Sequence, residues 1–219
     1  MPDTKGNISM DLDKYLRPTQ YIESDHSDII AFTNNHIAGV KDPKTKAIRL
    51  FYAVRDNIKY DPYTFNLKPD QLKASYVLKQ KKTYCVPKAV LMTSVIRAAG
   101  IPARLGYANL INHTISNDLK TILNTNVLAW HGYTEVYLKD SWIRITPAFN
   151  VELCKYLNVP PVEFDGESHA IFPSADNDGN KHMEYIEYHG TFDDVPLETI
   201  VKSMMEHYPM LMKHDELVP

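Results

Sequence analysis

The chain reads as an α+β domain in which an antiparallel sheet packs on one apolar helix. Three observations lead there. Apolar residues recur at helical spacing through the first half of the chain. Past Gly100-Ile101-Pro102 the apolar period shortens to two, as in half-buried strands. Between the two halves, Cys85 heads an apolar run that includes Ala89 to Ala99. Helices first and strands later is the order of an α+β fold.

The elements follow in order. Residues 1–24 are polar and read as a loosely attached N-terminal arm, leaving residues 25–219 as a single domain. A helix starts near Ser24 to Asp28, with Ile29, Ile30, Phe32 and Ile37 as its apolar face. Asp42 caps a second helix with Pro43 at its first position, and Ala47, Leu50, Phe51 and Val54 follow at helical spacing. Residues 59–65 are aromatic and read as extended, covering the core. Ala74, Val77 and Leu78 suggest a short helix before the lysine-rich loop at 80–84.

After the Cys85 helix, residues 103–110 and 131–138 read as strands. Lys139-Asp140-Ser141 forms a turn, and Trp142 to Thr146 returns. Residues 112–130 read as a long loop with one helical turn, a common site of lids and binding walls. Residues 152–157 form a short helix, 182–188 a further strand, and Val195-Pro196 opens a last amphipathic helix ending near Pro209.

Composition narrows the function. At 219 residues the chain builds one sizeable core. A net charge of −3 leaves no broad basic surface to neutralise phosphates, so nucleic acid is not an expected partner. No apolar run reaches bilayer length, and no membrane is expected. The N-terminus leads into no apolar stretch, so no secretory signal is expected. His214-Asp215-Glu216-Leu217 resembles an ER-retention address, but Val218-Pro219 follow it where that address must be terminal. Two cysteines make no disulfide scaffold, and a reducing, cytoplasmic setting is expected. Nothing in the pattern speaks to oligomeric state.

The chemistry starts at Cys85. A cysteine in a helix's first turn faces unpaired backbone N–H groups and the positive end of the dipole, both of which favour the thiolate. Lys79, Lys81 and Lys82 would add to that if they are more than a solvated loop. A thiol nucleophile needs a base in reach and a group that orients the base. His131, after the long loop, is the best-placed base, and the third group is expected from the neighbouring strand 142–147. Other chemistry-bearing residues have plainer readings. Cys154 is packing, and Trp130 and Trp142 are core or cleft wall. His169, His182 and Glu184 allow a rival reading as a metal-dependent hydrolase, but lack metal-ligand spacing. No metal or cofactor is expected.

Three segments together resemble the transglutaminase-like superfamily, the papain-related cysteine enzymes, over roughly residues 45–150. They are Tyr84-Cys85 with Ala89 through Gly100-Ile101-Pro102-Ala103-Arg104-Leu105-Gly106-Tyr107, then His131 to Leu138, then Trp142 to Pro147. The resemblance implies a transglutaminase-like, papain-like fold with Cys85, His131 and Thr146 in the catalytic positions. It implies acyl transfer through a thiol, with hydrolysis of a peptide, protein or small amide substrate as the first choice. Residues 151–219 lie beyond it as a C-terminal extension.

One departure stands out. The family carries Asp where this chain has Thr146, and a hydroxyl offers no negative charge to an imidazolium. Pairing Leu138 with Trp142 would set His131 opposite Phe149, so Asn150 is a second candidate for the orienting group, and Asp165 a third. The alternative function is a catalytically impaired binding module on the same fold. The Cys85 N–H is the expected first oxyanion donor, with Tyr84 and Gln80 near enough in sequence to supply a second.

Overall fold

The computed structural model describes residues 11–213 and Leu217. Part of the N-terminal arm, and the His214-Asp215-Glu216 stretch of the C-terminal string, lie outside the described residues.

Local chemistry starts the first two helices. The His26 ring accepts the Asp28 N–H at 3.2 Å ahead of α1 (Ser27–Ile37), and Asp42 accepts the Thr45 N–H at 2.9 Å ahead of α2 (Pro43–Asn57). The aromatic segment after α2 is extended only briefly. Strand β1 (Lys59–Tyr60) gives way to a 3₁₀ turn at Pro62–Thr64, because Asp61 accepts the Tyr63 N–H at 2.9 Å ahead of a proline. Helices α3 (Pro69–Leu72) and α4 (Ala74–Leu78) lead to β2 (Lys82–Thr83), which pairs in parallel with β1.

Helix α5 (Cys85–Ala98) is the hub. Residues 86 to 97 are all buried, so the helix is enclosed rather than amphipathic. Its polar side chains find partners inside. Lys88 donates to the carbonyls of Arg55, at 2.9 Å, and Ile58, which the C-terminus of α2 leaves free. Arg97 donates to the carbonyls of Ala103, Arg17 and Asp193. Gly100, at φ +77°, ends the helix in the left-handed conformation.

The arm read as loosely attached is instead anchored where it is described. Ile22 is fully buried, Ser94 donates to its carbonyl, and Tyr15 packs edge-on against Trp142 with ring centres 5.1 Å apart. The few apolar residues of that polar stretch suffice to dock it.

The sheet has the order β5-β4-β3-β6, all neighbours antiparallel, with β3 at Ala103–Asn112, β4 at Val127–Leu138, β5 at Ser141–Ile145 and β6 at Met183–Phe192. The expected long loop is shorter than it read, because both flanking strands run on into it. Between them lies α6 (Asn117–Leu123), capped by Ser116. Helices α7 (Val151–Leu157) and α8 (Leu197–His207) complete the chain. Among the described residues no helix is long and apolar enough to cross a membrane.

The β4–β5 turn corrects the expected register. Lys139 and Asp140 both have positive φ, giving a tight two-residue hairpin in which Leu138 pairs with Ser141, not Trp142. The pairing slips by one, and Thr134 faces Ile145.

Candidate active site

Alternation along β4 decides which residues meet α5. A Cβ on Gly132 would lie 3.0 Å from the Val86 Cα and 3.3 Å from the Ala89 Cβ. Thr134 donates to the Ala89 carbonyl at 3.1 Å and meets the Thr93 hydroxyl at 3.0 Å. Gly132 and Thr134 therefore face the helix, and His131 belongs to the outer face of the sheet. His131 was expected to begin its strand, but four residues of β4 precede it. Its ring lies 5.1 Å from that of Phe172 and 6.4 Å from that of Tyr185.

Cys85 is half-buried at the head of α5. The N–H groups of Gly132, Val86 and Cys85 itself approach the sulfur and favour its anion, but loss of water outweighs them and lifts the thiol to about 11. Burial drives the His131 imidazole the other way, down to about 3. The pair rests as thiol and neutral imidazole, not as the thiolate expected from the helix terminus alone. Among the described residues no hydrogen bond joins the sulfur to the ring. Two of the three lysines are engaged elsewhere: Lys82 pairs with Asp61 at 2.7 Å and Lys79 with Asp28 at 3.1 Å.

The three candidates for the orienting group separate cleanly. Asp165 is exposed and accepts the N–H groups of Glu167 and Ser168. Asn150 is buried but spent: it accepts the Tyr60 N–H at 3.1 Å and donates to Glu152 at 2.7 Å. Thr146 follows Ile145, the inward-facing partner of Thr134, so it emerges on the outer face with His131. Its Oγ1 is buried without a hydrogen-bond partner, and so is His131 Nε2. The Tyr185 hydroxyl lies beside Thr146 but outside hydrogen-bonding geometry.

Cys85 and His131 line one cavity of about 240 Å³. Its walls come from the segment after β1, from α6, from the start of β4 and from the C-terminal Met204, Tyr208 and Leu211. Tyr208 is fixed there by β4, donating to the Val127 carbonyl at 2.9 Å and accepting the Ala129 N–H at 2.6 Å. Nothing in the sequence pattern singles out Tyr208. Of the expected second oxyanion donors, Gln80 donates to the Tyr76 carbonyl at 3.1 Å and Tyr84 to the Asn66 carbonyl, so both are engaged elsewhere.

The residues of the metal reading part company. His169 accepts the Arg144 N–H, His113 meets Glu184 at 3.0 Å, and His182 meets the Thr114 hydroxyl at 2.7 Å. Among the described residues no three His, Cys, Asp or Glu side chains gather as a metal site.

A buried helix headed by a cysteine, packed on an antiparallel sheet that carries a histidine, defines a class of papain-like α+β fold. The model of the transglutaminase-like superfamily matches residues 30–147, more than half of the chain, and the chain belongs to that superfamily. No match is found among curated proteins. Similar solved structures include a candidate cysteine protease from Cytophaga hutchinsonii, at 18% identity and TM-score 0.49, covering 86% of this chain and 58% of that one. The periplasmic domain of TgpA from Pseudomonas aeruginosa follows at 20% identity and TM-score 0.42, covering 67% and 51%. An arylamine N-acetyltransferase from Mycobacterium abscessus is similar at 16% and 0.41, covering 61% and 46%. The chain thus spans about half the length of these structures.

Proposed function

We propose that the protein is a thiol hydrolase that cleaves an amide or peptide bond through Cys85 and His131, in a reducing, cytoplasmic setting. The observation that carries this reading is that the nucleophile and the base candidate line one cavity. Once bound substrate brings the His131 ring to the sulfur, Cys85 attacks the carbonyl carbon as the thiol proton passes to that ring. The C–N bond then breaks, and the ring returns that proton to the departing amine, leaving a thioester on Cys85. Water attacks the thioester, His131 takes its proton, and the carboxylic acid leaves as the thiol is restored. The backbone N–H groups near the sulfur are the donors to the oxyanion. Because both groups rest neutral, the proton moves during attack rather than before it.

Thr146 is proposed as the orienting residue, holding the ring by a neutral hydrogen bond once bound substrate draws the two together. The same neutrality supports a second reading, a binding module that no longer turns over. A peptide aldehyde separates the two. An enzyme forms a thiohemiacetal at Cys85 that is lost in Cys85→Ala and strongly reduced in His131→Ala. Modification no faster than that of a free cysteine favours the module.

A further inference from the structure

The cavity beside Cys85 is chemically one-sided. Among the described residues that line it there is no Asp, Glu, Lys or Arg; aromatic and aliphatic side chains make up the wall. A charged group placed there would lose its hydration with nothing to replace it. The volume, about 240 Å³, exceeds that of engineered cavities of ~150 Å³ that accept a benzene ring. It fits one ring or branched aliphatic group with the atoms that join it to a reacting carbonyl.

Besides His131 Nε2, a second polar atom among the residues of this wall is unspent. Trp130 lines the cavity, is only 4% exposed, and its Nε1 is buried without a hydrogen-bond partner. A buried donor left in that state is costly, and a ligand acceptor relieves it. The residue is also held in a strained conformation. Its φ is +54°, where a bulky side chain is rarely found, at the point where the β3–β4 register shifts. Asn109 accepts the Trp130 N–H at 2.9 Å and meets His189 Nε2 at 2.8 Å, while the His189 ring stacks flat on the indole at 4.4 Å. Glu187 accepts from the Asn109 amide at 2.8 Å. Three residues thus clamp a tryptophan next to His131 in a conformation it would not choose, a pattern found where geometry serves function.

We infer that the cavity holds an uncharged apolar side group of the acyl substrate, aromatic or branched aliphatic, and that Trp130 Nε1 donates a hydrogen bond to an acceptor on that substrate. The substrate class follows: amides of neutral apolar acyl groups, in preference to acidic or basic ones. The inference rests on the hydrolase reading for the word substrate, and its test needs no turnover.

The test is calorimetric titration of the Cys85→Ala protein with N-acetyl-phenylalaninamide, N-acetyl-lysinamide and N-acetyl-glutamate amide. The phenylalanine compound is expected to bind at least tenfold more tightly than either charged one. Trp130→Phe in the same background keeps an aromatic ring, removes the donor, and is expected to weaken that binding about tenfold. Ile122, a cavity-lining residue that is 43% exposed, gives a variant whose folding is not in question. Ile122→Glu should weaken the phenylalanine compound and strengthen the lysine compound. Equal affinity for neutral and charged amides, or no saturable binding of the phenylalanine compound, overturns the cavity assignment. Unchanged affinity in a folded Trp130→Phe protein overturns the donor. If the phenylalanine compound binds but the wild-type protein neither hydrolyses it nor reacts with the aldehyde, the hydrolase reading fails and the cavity assignment stands. If the wild-type protein hydrolyses charged amides equally well, the reverse holds.

Discussion

His131 and Thr146 leave the sheet on the same face, and each ends in a buried polar atom that has no partner: Nε2 on one, Oγ1 on the other. A carboxylate at Thr146 would place a negative charge on the same face as the His131 ring. Thr146→Asp is therefore expected to raise the His131 pKa from about 3 toward its ordinary value, read by NMR titration of the ring. Alkylation of Cys85 at neutral pH should rise at least tenfold with it. An imidazole that titrates as in the parent protein would place the two side chains out of contact.

The buried imidazole also sets an acid limit on stability. In the unfolded chain His131 takes up a proton near 6.5, and in the folded chain only near 3. Between those values the unfolded state binds the extra proton. This contribution to stability is complete above pH 6.5 and falls by about 1.4 kcal/mol per unit as pH drops toward 3. Urea midpoints at pH 7, 5 and 4 should decline more steeply in the parent than in His131→Phe. Parallel declines would contradict the burial.

Cys85 should behave as a thiol, not as half of a standing ion pair. With its pKa raised to about 11, its reaction with iodoacetamide should accelerate about tenfold per pH unit from neutrality to pH ~10. A rate already flat near neutrality would mean that the thiolate is preformed.

Two glycines hold the sheet closed around this site. A methyl group on Gly106 would run into the ring of Tyr133, its cross-strand partner, and one on Gly132 would press on the backbone of α5 at Val86. Gly106→Ala and Gly132→Val are each expected to cost about 1–3 kcal/mol in thermal or urea unfolding. Gly132→Val should also alter Cys85 labelling, because it pushes on the helix turn that carries the sulfur, whereas Gly106→Ala should not.

Much of this was legible in the chain. The Asp42-Pro43 cap, the Gly100 stop and the change of period after Pro102 act through neighbours in sequence, and they appear in the fold where the sequence puts them. The N-terminal arm was misread because Tyr15, Tyr21 and Ile22 are too few to make a pattern. Ile22 is held by Ser94 of α5, Tyr15 packs on Trp142 and Tyr21 meets Ala74 and Asp194, all far away in sequence. The β4–β5 register was misread because it depends on the backbone of Lys139 and Asp140, a pair without the usual glycine of such turns.

By itself the sequence determined the α+β order, a cysteine at the head of an apolar helix, and the superfamily its three segments resemble. Only the tertiary structure decided that His131 lies on the face of β4 turned away from α5, that Asn150 and Asp165 are committed elsewhere, and that thiol and imidazole both rest neutral. The physical reason is the same each time. Periodicity and capping are local, whereas side-chain direction follows from strand pairing, and the charge state of a buried group follows from how much water the whole fold removes from it.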